Sequence, residues 1–217
     1  MNNIGVSENK SIMPLSLITI CNVILLLVRN YCVGNENHNF LLWNLFLGVV
    51  PFLIVLIMKA CADRLNSLCL FMGWLFWLLF YPNSPYMITD LIHIKKINEF
   101  LLYDSVVYFS LAILSAFWGF YSISLLYSII LKRSSSKLLA TSIIIVSIIL
   151  SSFGIYLGRV LRLNSWDVFV RPFSTFTTIL TQLLQMLENP TIYMMVLLFS
   201  FLQATFLYLI KEMKHAK

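Results

Sequence analysis

The chain has 217 residues, of which 60% are hydrophobic and 11% charged, and its mean hydropathy is +0.88. A soluble domain carries roughly 25% charged residues, so a water-soluble fold is excluded, and six spans of about 20 residues leave no room for a separate soluble catalytic domain. The net charge of +6, from 15 Lys and Arg against 9 Asp and Glu, gathers in short clusters beside apolar runs, the pattern of a membrane border and not the basic stripe with stacked aromatics that nucleic-acid binding needs.

The uncharged runs predict an all-α integral membrane protein, a single polytopic domain over residues 1–217 with about six transmembrane helices and two short interfacial ones. The first helix is predicted at 12–33. Lys10 before it imitates a secretory signal, but no small-x-small cleavage site follows and Arg29 and Asn30 come at once, so it reads as an uncleaved helix with Arg29 snorkelling from its end. The second, 40–58, has Pro51 in its middle, and Asn44, Gly48, Pro51 and Val55 fall on one stripe, which predicts a kinked helix buried on that face. The third, 65–81, is stopped by Pro82.

Beyond it, Ser84 suits an N-cap and Pro85 a first helical position, so an interfacial helix is expected to restart there and run over 85–100. The fourth span, 105–131, offers Ser115, Gly119 and Ser122 as a small-residue face. The fifth, 138–160, carries Ser147, Ser151, Gly154 and Gly158, a series that admits another backbone closely. Residues 172–187 are too few and too rich in Thr and Gln to span, which points to an interfacial or re-entrant helix, and the sixth span is 190–210. Cys21, Cys32, Cys61 and Cys69 contain no CxxC pair and read as packing thiols, without a Cys61–Cys69 disulfide.

Basic residues beside the spans set the orientation. With a cytoplasmic start, the inner side collects Lys10, Lys59, Arg64, Lys132, Arg133, Lys137, Lys211, Lys214 and Lys217, and the outer side Arg29, Lys95, Lys96, Arg159, Arg162 and Arg171. The excess favours both termini in the cytoplasm.

Two polar segments carry the chemistry. On a helix restarting at Pro85, Tyr86, Asp90 and His93 fall on one stripe at i, i+4 and i+7. A carboxylate beside an imidazole can shuttle a proton, orient a ligand or hold a cation, so Asp90 and His93 are the candidate catalytic residues; the bland reading is an amphipathic helix on the membrane surface. Two protein ligands do not close a zinc site, and although Asp167 could add a third, no metal is expected. In the second segment, Gly154 to Asp167, Arg159 and Arg162 lie at i, i+3 and can converge on one anionic group or on lipid phosphates; the bland reading is anchoring by Arg and Trp. Asn164 suits a left-handed helix end or the cap of a next helix with Asp167 in its first turn.

The two segments follow the third and fifth spans, so both open on the outer face, and Asn44 near the outer end of the second span can reach them. Buried charges are expensive unless paired. The expected pairing is Asp90 with Arg159 or Arg162, and Asp167 with the other. The candidate ligand-binding set is Asn44, Asn83, Tyr86, Asp90, His93, Arg159, Arg162, Asn164, Trp166 and Asp167.

Pro82-Asn83-Ser84-Pro85-Tyr86 through Thr89-Asp90-Leu91, together with the GIYLGRxLRxNSWD stretch from Gly154 to Asp167, resembles the bacterial membrane-protein family known as domain of unknown function 1361, over most of the chain from about Asn44 to the sixth span. The resemblance implies a multi-pass protein of the bacterial cytoplasmic membrane and implies no reaction. It marks Asn44, Pro82, Asn83, Pro85, Tyr86, Asp90, Gly158, Arg159, Arg162, Asn164, Trp166 and Asp167.

No HExxH helix, GxSxG turn, Walker loop or GxGxxG is present, and His38, His93 and His215 are too scattered for haem, so no cofactor is expected. Three readings stand: a binding or transport bundle whose outer pocket holds an anionic amphiphile or small solute, with membrane lipids as partners; an enzyme at the membrane border acting on a lipid or cell-envelope intermediate; and an assembly or partner protein. Against a carrier, no inverted repeat and no deep charges are visible.

Overall fold

A computed structural model describes residues 3–33, 38–94, 100–186 and 188–215. Its elements in order are α1 (Asn3–Val33), α2 (Phe40–Cys61), α3 (Ser67–Phe80), α4 (Asn83–Tyr86), a 3-10 helix (Met87–His93), α5 (Leu101–Ser134), α6 (Lys137–Val160), α7 (Asp167–Val170), α8 (Pro172–Gln185) and α9 (Pro190–His215). The described residues contain no strand. Among the described residues, six stretches are long and apolar enough to cross a membrane: Ile12–Cys32, Phe40–Cys61, Ser67–His93, Leu101–Ser134, Lys137–Val160 and Pro190–Leu209. The protein is an all-α multi-pass membrane bundle.

Helix α5 is its axis. At 34 residues it is buried along most of its length, and α1, α2, α4, the 3-10 helix and α6 all pack on it. Lipid tails are as apolar as leucine, so association here relies on close packing and on hydrogen bonds between helices. The indole of Trp77 donates to Ser122 Oγ (3.0 Å), that of Trp74 to Ser147 Oγ (2.9 Å), and Gln203 Nε2 on α9 to Ser152 Oγ on α6 (2.8 Å).

The third span departs most from expectation. It does not stop at Pro82 but continues through α4 and the 3-10 helix to His93. The chain carries on because the bonds that prolines cannot make are replaced locally: Asn83 Nδ2 donates to the Phe80 carbonyl (2.8 Å), Ser84 N–H to that of Tyr81 (3.1 Å) and Tyr86 N–H to that of Pro82 (3.0 Å). Ser84 is not an N-cap. Its hydroxyl donates to the Gly48 carbonyl on α2 (2.7 Å), and its own carbonyl accepts from Ser115 Oγ on α5 (2.9 Å). The predicted interfacial helix over 85–100 is therefore replaced, as far as His93, by a segment inserted into the bundle, with Ser84, Met87 and Asp90 buried. Residues 95–99 of the predicted helix, Lys95 and Lys96 among them, lie outside the described residues, as do 187 and Lys217.

The small face of α5 exists to admit this segment. A Cβ on Gly119 would lie 2.5 Å from Ser84 Cβ, so nothing larger than glycine fits at that crossing. Gly48, Pro51 and Val55 on α2 are buried as expected, and α2 runs through Pro51 as one helix. The thiols are not packed inside: Cys21, Cys32 and Cys69 are exposed, Cys61 is half-buried, and all four are free. Helix α8 has 14 residues, about 21 Å at 1.5 Å per residue, short of the roughly 30 Å hydrocarbon core.

Candidate functional site

Helix α6 prepares the site with glycine. A Cβ on Gly154 would come 2.7 Å from Pro82 Cγ, and Gly158 touches the ring of Tyr86, so α4 lies directly along the last turns of α6. This brings the 3-10 helix against Arg159. At three residues per turn, positions i and i+3 eclipse, so Asp90 and His93 stand on one line and Tyr86 and Thr89 on the next, in place of the single α-helical stripe expected.

Arg159 reaches across both lines. Its Nη2 donates to Asp90 Oδ1 (2.6 Å), its Nε to Thr89 Oγ1 (2.8 Å) and its Nη1 to His93 Nε2 (3.1 Å), while its guanidinium carbon lies 4.6 Å from the centroid of the Tyr86 ring. Asp90 Oδ2 accepts from Asn44 Nδ2 on α2 (2.7 Å). Guanidinium only donates, so His93 Nε2 is the acceptor in this contact. Both oxygens of Asp90 are occupied, and this carboxylate is a counter-ion held under the surface. Thr89 was not among the candidates; its signal was a hydroxyl next to Asp90.

The second segment departs from its predicted geometry. α6 ends at Val160, and Arg162, not Asn164, takes the left-handed conformation, with φ 56°. Arg162 thus leaves the helical face it would share with Arg159. It is exposed and makes no hydrogen bond or ion pair among the described residues. Asp167 does not pair with it. The nearer donors win: Asp167 Oδ2 accepts from the backbone N–H of Asn164 (2.7 Å), and Oδ1 from Arg171 Nη2 (3.1 Å), one turn on. The Asn164 N–H holds the Asp167 carboxyl below the usual carboxylate range; burial opposes this and Arg171 adds to it. Trp166 sets its ring edge-on to Trp43 of α2, centroids 5.8 Å apart.

The two segments are joined by Asn83, whose Nδ2 donates to Ser165 Oγ (2.9 Å), and by Ser165, whose hydroxyl donates to the Leu79 carbonyl (2.9 Å). Between them lies a cavity of about 140 Å³, room for roughly five waters at ~30 Å³ each. Of the predicted residues, Asn44, Asn83, Tyr86 and Asn164 line it; Asp90, His93, Arg159, Arg162, Trp166 and Asp167 do not. Ser165, Thr175 and Ile179 complete its wall beside Leu47, Leu79 and Leu157. Thr175 and Ile179 come from α8, which its length and its Thr and Gln content mark as a non-spanning helix without saying where it docks. Among the described residues, no group of three or more His, Cys, Asp or Glu side chains stands where it could hold a metal.

A second polar cluster adjoins the first. Arg29 does not snorkel: it is 5% exposed and grips Asp104 of α5 with Nε to Oδ1 (2.8 Å) and Nη2 to Oδ2 (2.9 Å). Prediction began the fourth span at residue 105 and so left Asp104 in water; α5 starts at Leu101 and carries it inside. Its neighbour Tyr108 shares a 2.6 Å hydrogen bond with His38 Nδ1, and the ring of Phe40 stands edge-on to both Tyr108 and His93.

A family model with the description "Protein of unknown function (DUF1361)" matches residues 43–206, about three-quarters of the chain. No curated protein and no solved structure matches.

Proposed function

The chain belongs to the DUF1361 family, and from that premise we propose that this multi-pass membrane protein is a binding bundle whose cavity between the two polar segments receives a small polar group at the extracytoplasmic face of the bacterial cytoplasmic membrane. The observation that carries the reading is the cavity itself, walled by amide and hydroxyl groups of Asn44, Asn83, Tyr86, Asn164, Ser165 and Thr175 and by leucines. A hollow with convergent hydrogen-bonding groups amid apolar packing is the ordinary form of a ligand site.

The ion pairs beside it serve as a frame. Arg159 and Asp90 neutralise each other, fix the Tyr86 ring that forms part of the wall, and tie α2, the 3-10 helix and α6 together. The orientation with both termini inside is supported by the same pairs. Arg29, Arg159 and Arg171, counted against that orientation by their position, are each engaged with a carboxylate, so they have a structural reason to stand on the outer side.

Catalysis by His93 or Asp90 is the weaker reading, because the Nε2 lone pair of His93 and both oxygens of Asp90 are already committed to Arg159 and Asn44. The test is to identify by mass spectrometry what co-purifies with the full chain and with Ile179→Trp, which fills the cavity from α8. A small molecule or lipid present in the first and lost from the second supports the site. Identical extracts from both would overturn it.

A further inference from the structure

Helix α8 has three faces. Thr175, Ile179, Gln182 and the following Met186 turn to the bundle: Thr175 Oγ1 donates to the Asp167 carbonyl (3.1 Å), the Tyr156 hydroxyl donates to Gln182 Oε1 (2.8 Å), and Ile179 and Met186 pack against the cluster of Phe153, Tyr156, Leu157, Ile192 and Val196. Phe173, Phe176, Leu180 and Leu184 form a second stripe that is 89, 66, 46 and 61% exposed. Ser174, Thr177, Thr181 and Gln185 form a third, polar and exposed. Only at the border of a bilayer does each face find its own solvent. The inner face of α8 supplies Thr175 and Ile179 to the cavity wall, so the cavity lies at the level of the lipid headgroups.

Charge and size narrow the occupant. No charged side chain lines the cavity, and its polar groups are amides and hydroxyls, which suit hydroxyl groups. Arg162 directly precedes Leu163 and Asn164 of the wall, and is exposed and without an ion pair among the described residues. Arg29, Arg159 and Arg171 are each engaged with a carboxylate, so among the described residues at this end Arg162 is the guanidinium without a carboxylate partner and can take an anion. A volume of about 140 Å³ suits a group of glycerol size.

We infer that the site takes the headgroup of an anionic, hydroxyl-bearing phospholipid of the phosphatidylglycerol kind from the adjacent leaflet, its hydroxyls in the cavity, its phosphate on Arg162 and its chains left in the bilayer. This rests on the cavity being a binding site, as proposed above.

The experiment purifies the full chain in detergent with equal amounts of phosphatidylglycerol and phosphatidylcholine of the same acyl chains and measures retained lipid by native mass spectrometry; soluble glycerol phosphate is a separate probe. Wild type is expected to enrich phosphatidylglycerol, Arg162→Gln to lose about tenfold of that preference with an unchanged melting temperature, as one charge-assisted contact would give, and Ile179→Trp to lose it entirely. Equal retention of the two lipids, or a preference untouched by Arg162→Gln, overturns the lipid assignment. Glycerol phosphate bound by wild type and not by Ile179→Trp, without lipid preference, sinks this inference and leaves the binding site standing. No difference between those two chains with any probe sinks both.

Discussion

Asp90 is 2% exposed, and its charge is tolerable only because Arg159 and Asn44 occupy both of its oxygens. Removing one partner of a buried pair strands the other, at about 3–5 kcal/mol. Arg159→Gln and Asp90→Asn are each expected to destabilise the protein by about that amount, and the double variant by much less than the sum, measured by unfolding in detergent as a double-mutant cycle; additive losses would mean the pair is not coupled. Asp167 gives a pH dependence of known sign. Its folded pKa is depressed, chiefly by the Asn164 N–H, so its contribution is present above its unfolded pKa of about 3.9 and is lost as pH falls through the lower folded value. Hydrogen-exchange protection of α7 and the start of α8 should therefore fall on acidification below about pH 4, and Asp167→Asn should remove that dependence. Sequence spacing marked Asp90 and Arg159 because expensive residues near apolar runs announce themselves. It gave Asp167 the wrong partner because the choice between Arg162 and Arg171 depends on a left-handed turn at Arg162, a non-glycine residue whose sequence carries no such signal.

At the scale of elements, the spans are legible from apolar length, the stripe of Asn44, Gly48, Pro51 and Val55 reads as a buried face, and Ser115, Gly119 and Ser122 read as a small-residue face, before any partner is known. What the pattern could not tell is what those faces receive. The guest is the Ser84 turn, which the sequence places at the membrane surface because Pro82 usually ends a helix and Ser84-Pro85 suits the start of the next. Hydrogen bonds from Asn83 and Ser84 to carbonyls of their own and neighbouring helices make burial affordable. Gly119→Ala is expected to cost about 1–3 kcal/mol by overpacking, since its Cβ meets Ser84 Cβ, and Ser84→Gly in the same chain to recover part of it. Thermal unfolding of the single and double variants checks this; an unaffected Gly119→Ala would mean that the crossing is looser than described. α8 was recognised by its Thr and Gln content as non-spanning, but its division into three faces matters only once Tyr156 and Asp167 supply it with partners.

In the whole molecule, four polar layers coincide at one end: Arg29 with Asp104, His38 with Tyr108, Arg159 with Asp90, and Asp167 with Arg171. The opposite end holds Lys59, Arg64, Arg133 and Lys137, with Lys132 paired to Asp63 in the open. α1 lies before residue 43, where the family match begins, and its Arg29 pairs with Asp104 of α5 inside the matched stretch. The account turns on the claim that both polar segments open together on the outer side of the membrane. In a chain with its four cysteines replaced, Asn83→Cys and Asn164→Cys can each be reacted with a membrane-impermeant thiol reagent in intact cells. Both are predicted to be labelled from outside, and both more slowly when Ile179→Trp closes the cavity. Labelling of the two positions from opposite sides, or of either one only after the membrane is opened, would contradict the claim.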